Sequence, residues 1–251
     1  MKALTILLAT LFATSALGEA TFSWNEFTER AAAAVQGGEQ AALIELQAER
    51  RDEPVEPREW NAYWRAYLHY RAAYLAGEDE PDKERLEACV ETAEQAVESG
   101  EDSGESHALL GLCYGQLAGT GMMAGMRYGS KAQAALDEAL LLAPDNPRVL
   151  LAAGINDLYT PAQYGGDIER AERRLSDARD RLAGGAEHVG ESPWRPAWGA
   201  LDAHGHLAMA YARLERPGEA LEVLRQAERS GIQSPWLEGM RSRFEGDASS
   251  R

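Results

Sequence analysis

"HLAMAYARLERPGEALEVLRQAERSGI", residues 206–232, decides the fold. Two apolar stripes flank a short turn. The first runs through "LAMAY" (207–211), and the second places Ala220, Leu224 and Ala227 four and seven residues apart. Those offsets trace one face of a helix, and small residues on that face let a second helix approach closely. The stretch therefore reads as two antiparallel helices pressed together.

The same offsets recur upstream as Ala171, Leu175, Ala178 and as Ala132, Leu136, Ala139, with Cys89, Ala93, Ala96 as a weaker copy. Each is preceded by a stretch with a small residue second: "AGIND" (153–157), "LGLCY" (110–114) and, in degenerate form, "AYLHY" (66–70). In "LLLAPDNP" (140–147), Pro144 falls just past one helix end and Pro147 at the start of the next. Recurrence of a helix pair is the mark of a repeat protein. These residues resemble the tetratricopeptide repeat (TPR) family, over roughly residues 60–232. The resemblance implies an all-α chain, an α-solenoid of antiparallel helix pairs wound into a TPR-like superhelix. It implies a binding or scaffolding role and carries no catalytic residues. On this reading residues 1–18 are a signal peptide, 19–56 extra N-terminal helices, 57–232 the solenoid, and 233–251 a C-terminal capping helix and tail.

The copies differ in one place. Tyr211 and Ala220 are nine apart, but the matching distance is 14 from Asp157 to Ala171, 18 from Tyr114 to Ala132 and 19 from Tyr70 to Cys89. The surplus falls in "YTPAQYGGD" (159–167), "GQLAGTGMMAGMRYGSK" (115–131) and "AAYLAGEDEPDKER" (72–85). Equivalent turns of a solenoid line one edge, so three loops are expected to form a rim there. In the first loop Pro161 opens a turn, Gly165 and Gly166 allow positive φ, and Asp167 caps the next helix. Candidate contacts are Tyr159, Thr160, Tyr164 and Asp167, joined by Met122, Met126, Arg127 and Tyr128 from the second loop. The plainer alternative is that the tyrosines pack on neighbouring repeats. Met122, Met123 and Met126 are soft thioethers of the kind that bind Cu(I). No His or Cys lies near, and methionine commonly fills irregular apolar gaps, so no metal site is assigned.

Peptide-binding members of the family clamp a carboxylate with Lys and Asn on the first helices. The corresponding positions here include Leu112, Ile155 and Met209, which are apolar. A carboxylate clamp is absent. The groove is expected to take an apolar ligand or a partner helix, or to be filled by the N-terminal segment. That segment (22–50) reads as two helices broken at Gly37-Gly38, with Phe22, Trp24 and Phe27 available for docking. "WNAYWRAYLHYRAAY" (60–74) reads as the aromatic core of the first repeat, and "SPWLEGMRSRFEG" (234–246) as a cap with Ser234 as N-cap and Pro235 first in the helix.

Composition narrows the function. The net charge of −16 opposes phosphate backbones and anionic membranes, so nucleic acid is excluded as a partner. "MKALTILLATLFATSALG" has a basic start, a short apolar run and small residues at Ala16 and Gly18, as a cleaved secretory signal has. The mature chain is thus expected to be periplasmic or secreted, without a membrane anchor. Cys89 and Cys113 are able to pair in an oxidising compartment, but each lies on an apolar stripe and reads as a small core residue with a free thiol. The five histidines are scattered, with His204 and His206 on different helix faces. No phosphate loop, nucleophile elbow or HExxH motif occurs. The expectation is a non-catalytic exported interaction module that binds a protein or peptide through its groove and rim and needs no cofactor. The alternative is a carrier of a small apolar ligand, because "GGDIERA" (165–171) is similar to a turn and helix of TPR proteins associated with TRAP transporters. Those are lipoproteins, and this chain lacks their anchoring cysteine.

Overall fold

A computed structural model describes residues 22–49, 56–77, 81–100, 104–183 and 192–249; the expected signal peptide lies outside them. Among the described residues the chain is all helical, with eleven α-helices and one short 3-10 turn. The first two helices are α1 (Trp24–Gly37) and α2 (Gln40–Glu49). Four longer pairs follow: α3 (Arg58–Ala76) with α4 (Lys83–Ser99), α5 (Gly104–Gly119) with α6 (Met122–Leu142), α7 (Pro147–Tyr159) with α8 (Ile168–Ala183), and α9 (Ala200–Arg213) with α10 (Pro217–Arg229). Helix α11 (Pro235–Ser249) packs on α9 and α10.

Local chemistry sets the ends. Asn146 accepts hydrogen bonds from the N–H groups of Arg148 and Val149, and Pro147 occupies the first turn of α7, where its missing N–H costs nothing. Ser234 accepts from the N–H of Leu237 and starts α11 as expected. Gly38 stops α1 at φ 70°, a left-handed conformation that favours glycine.

The recurring triplets do what their spacing demands. In all four copies the residues at offsets zero, four and seven are at most 4 % exposed. In two of the copies the central leucine faces a glycine of the preceding helix. A Cβ on Gly111 would stand 2.6 Å from the Leu136 side chain, and one on Gly154 would stand 2.8 Å from Leu175. Glycine there lets these two pairs close.

Two expectations are corrected. The stretch 115–131 is not a loop. Helix α5 continues to Gly119 and α6 begins at Met122, so the surplus residues lengthen both helices. Ala, Leu, Met, Arg and Lys are good helix formers and outweigh the glycines. Cys89 and Cys113 are not free thiols. They form a disulfide between α4 and α5, with Cα atoms 5.7 Å apart, within bridging range. Small residues on facing apolar stripes bring adjacent helices close, and that same closeness lets the two sulfurs meet.

The inner face of the molecule is closed. Helices α3, α5, α7 and α9 contact one another in order, and α3 returns to touch α9. Arg71 on α3 donates to Asp202 on α9 at 2.5 Å, with both residues almost wholly buried. Burial alone would push the Arg71 pKa down, but Asp202 holds it above its ordinary value. Around the pair, Tyr67 stacks on Trp198 at 4.8 Å, Trp198 donates to the Tyr63 hydroxyl, and Trp64 donates to the carbonyl of Trp194. Thus the aromatic stretch 60–74 packs across the molecule. Phe27 of α1 docks edge-on against Trp64, so the N-terminal aromatics dock as expected, but α1 and α2 lie beside α3 and do not fill the centre.

Removing one partner of a buried ion pair strands the other charge. Asp202→Ala is expected to lower unfolding free energy by about 3–5 kcal/mol, and Arg71→Met combined with it to restore much of that loss, as read from urea unfolding. For the disulfide, a Cys89→Ala/Cys113→Ala variant is expected to lose about 3 kcal/mol, from the loop that the bridge closes. The denatured, non-reduced protein should show no reaction with a thiol reagent; two reactive thiols would contradict the bridge.

Candidate functional site

The inner face is closed, and a cleft opens at the edge where the loop after α7 lies. That loop is pinned from several sides. Thr160 ends α7, and Pro161 opens the 3-10 turn Ala162–Tyr164. Gly165 adopts φ 97°, and a Cβ on Gly166 would lie 1.7 Å from the Thr160 carbonyl oxygen. No other residue fits there without moving the backbone. The N–H of Asp167 donates to the Asp157 carbonyl, and the Asp167 carboxylate caps α8 by accepting from the Arg170 N–H. That bond holds the Asp167 pKa below its ordinary value.

Beneath the loop, the buried carboxylate of Asp157 accepts two hydrogen bonds from Arg170 and one from Arg174, at 2.6–3.0 Å. Arg170 also donates to the Gly165 carbonyl at 2.7 Å. Charge-assisted, two-pronged contacts of this kind fix geometry as well as adding energy. The loop is therefore held in one shape before any ligand arrives.

Between this loop and the end of α9 lies an open cleft of about 690 Å³. Tyr159, Thr160 and Asp167 line it, as do Ile168 and Arg213. Tyr159 is 43 % exposed; its ring sits 4.8 Å from the Arg213 guanidinium, which donates to the Leu158 carbonyl. The Tyr159 hydroxyl lies 3.1 Å from Nδ1 of His206, a buried side chain of α9. Burial pushes the His206 pKa down from 6.5 to about 4, so the ring is neutral at neutral pH. Tyr74 and Trp236 pack edge-on around the same imidazole.

The sequence-level candidates thus separate into three groups. Tyr159, Thr160 and Asp167 come together in the cleft, and Tyr164 stands on the adjoining turn at 74 % exposure, packed on no core. Met122, Met126, Arg127 and Tyr128 sit on the first turns of α6, where Tyr128 stacks on Tyr114. Leu112, Ile155 and Met209 lie on α5, α7 and α9; Leu112 is in the core, and the other two are half-buried against it. They do not form an open groove. Arg213 and His206 were missed. Arg213 at the end of α9 meets Tyr159 across 54 residues of chain, and His206 is buried beside Trp236 of α11; no local pattern reveals either meeting.

No family model matches the chain, and no curated protein matches it in sequence. In structure it is similar to the HusA haemophore from Porphyromonas gingivalis, with a TM-score of 0.62 and 23 % identity over 78 % of this chain and 96 % of that one. The likeness shows a shared helical fold. No helix among the described residues is long and apolar enough to cross a membrane.

His206 gives a pH test. Its folded pKa is depressed, so between about 4 and 6.5 the unfolded chain binds more protons than the folded one, and stability falls as pH falls through that window. Other acidic groups also titrate there, so the comparison is with His206→Gln. The stability advantage of wild type over that variant is expected to shrink by about 2–3 kcal/mol between neutral pH and pH about 4. A constant difference would show that His206 is not buried neutral.

Proposed function

We propose that this chain is an exported, non-catalytic TPR-like repeat protein that carries a small, flat, largely apolar ligand of the haem class, in the cleft beneath the 159–167 loop. The observation that carries this reading is the cleft itself: about 690 Å³, within the usual range for small-molecule sites, under a loop held rigid by Asp157, Arg170 and Gly166. Preorganised walls reduce the ordering cost of binding. The likeness in fold to a haemophore supports the ligand class.

The chemistry of the wall suits such a ligand. Tyr159 in the wall and Tyr164 on the adjoining turn offer aromatic surface for the plane of a macrocycle. Arg213 offers a guanidinium for a carboxylate at its edge, since the planar fork matches carboxylate geometry. Export is supported by the signal-like N-terminus and by a disulfide, which persists in oxidising compartments. The pairwise contacts of α3 to α10 support the solenoid reading of the fold, here wound tightly enough for α3 to meet α9. A protein partner on the same rim is the second reading, favoured by the exposure of Tyr164.

Haemin titrated into the purified protein should give a saturating change in the haem absorption band at a single equivalent. Tyr159→Ala/Tyr164→Ala should weaken binding about tenfold or more, a change of about 1.4 kcal/mol. Because both rings are substantially exposed, unfolding should cost only about 1–2 kcal/mol in that variant, against about 3 or more for a core aromatic. No spectral change with the wild-type protein sinks the haem-class reading. Unchanged affinity in the variant moves the site away from the cleft.

A further inference from the structure

Three of the six methionines fall within five residues, Met122, Met123 and Met126. Their expected role as gap fillers fails in the structure. They are 84 %, 75 % and 65 % exposed, whereas Met209 and Met240 pack against or within the core. Apolar side chains that pack against nothing need another reason to be clustered.

Helix geometry brings the three sulfurs within reach of one point. Met122 begins α6, so all three residues lie on its first two turns. Met122 and Met126 stand about 6 Å apart along the axis and about 40° around it, while Met123 and Met126 stand about 4.5 Å and about 60° apart. Each thioether swings on three rotatable bonds, so small adjustments let the sulfurs converge.

The surroundings select a soft ion. No Asp or Glu occurs between Glu105 and Asp137, so α6 offers no carboxylate near the methionines. Nor do the described residues contain a cluster of His, Cys, Asp or Glu able to hold a metal. Both cysteines are consumed in the disulfide, which leaves these thioethers as the exposed sulfur donors among the described residues. The cationic groups nearby are drawn aside: the Arg127 guanidinium lies 5.1 Å from the Tyr128 ring, and the Lys131 ammonium 5.3 Å from that of Tyr114. The positive end of α6 disfavours a cation slightly, so affinity must come from the sulfurs. Neutral thioethers hold hard divalent ions poorly and soft monovalent ones well.

We propose that Met122, Met123 and Met126 form a surface site for Cu(I), with all three thioethers as ligands. The site is separate from the 159–167 cleft and does not depend on what that cleft binds. Binding requires no change in oxidation state and no proton release, so it should be insensitive to pH, unlike a site built from thiols or imidazoles.

The probe is Ag(I), the redox-inert analogue, titrated calorimetrically into the oxidised full-length protein in chloride-free buffer. A single ion per chain is expected. Met122→Leu/Met123→Leu/Met126→Leu conserves volume at exposed positions, so the fold should survive, as circular dichroism will check. That variant should lose binding, and Met126→Leu alone should weaken it about tenfold or more. Competition for Cu(I) against a chromophoric chelator should give the same order among the three proteins. The proposal is overturned if the wild type does not bind Ag(I), or if the triple variant binds it as tightly as the wild type does.

Discussion

The buried pair between Arg71 and Asp202 ties the first long helix, α3, to the last of its counterparts, α9, across 131 residues of chain. Two charges withdrawn from water are tolerable only if they meet, so wherever α3 and α9 lie, these residues must face each other. That constraint turns a row of helix pairs into a closed body. Tyr63, Trp64, Tyr67, Trp194 and Trp198 fill the space around it, and the Trp64 and Trp198 indoles donate across the same seam to the Trp194 carbonyl and the Tyr63 hydroxyl. An ion pair contributes little net stability compared with apolar packing of the same volume. Its effect here is on geometry, since separating α3 from α9 within the core would strand both charges.

Closing the inner face leaves no open groove along α5, α7 and α9. An open repeat array offers a groove, but here Leu112 lies in the core, and Ile155 and Met209 rest half-buried against it. The turns between paired helices stay accessible at the edge. The 115–131 connection is absorbed into helix, and the one after α7 stays a loop because Pro161, Gly165 and Gly166 forbid helix. The same residues that break the helix make the loop rigid. Gly166 admits the Thr160 carbonyl, and Arg170 and Arg174 converge on Asp157 beneath it. Rigidity and accessibility rarely coincide on a surface loop, and they coincide at this edge.

The two ends of the molecule are stabilised by different means. At the N-terminal end, Cys89–Cys113 joins α4 to α5, and Phe27 and Trp24 cover the exposed flank of α3. At the C-terminal end, Trp236 of α11 lies against Gly205, where a Cβ would be only 2.1 Å from the indole ring. That contact places Trp236 beside His206 and so helps to keep the imidazole dry and neutral. The cleft is thus backed by a packed aromatic wall formed from α3, α9 and α11.

Much of the helical architecture was legible in the sequence because it rests on local rules. Triplets at offsets of four and seven fixed which faces are buried, Gly111 and Gly154 marked where helices approach, and Asn146-Pro147 and Ser234-Pro235 marked starts. Pro161 and the paired glycines likewise announced a real loop. Only the tertiary structure decided the rest. Whether the inner face stays open depends on curvature summed over four helix pairs, and Arg71 and Asp202 reveal nothing of their partnership until that curvature brings them together. The disulfide, the burial of His206 and the seating of Arg213 over Tyr159 are likewise meetings of residues remote in sequence. The exposure of Met122, Met123 and Met126 is the converse case, since local pattern cannot tell a methionine that fills a gap from one that no neighbour reaches. Periodicity states which side of a helix is apolar; what that side meets is set by the path of the whole chain.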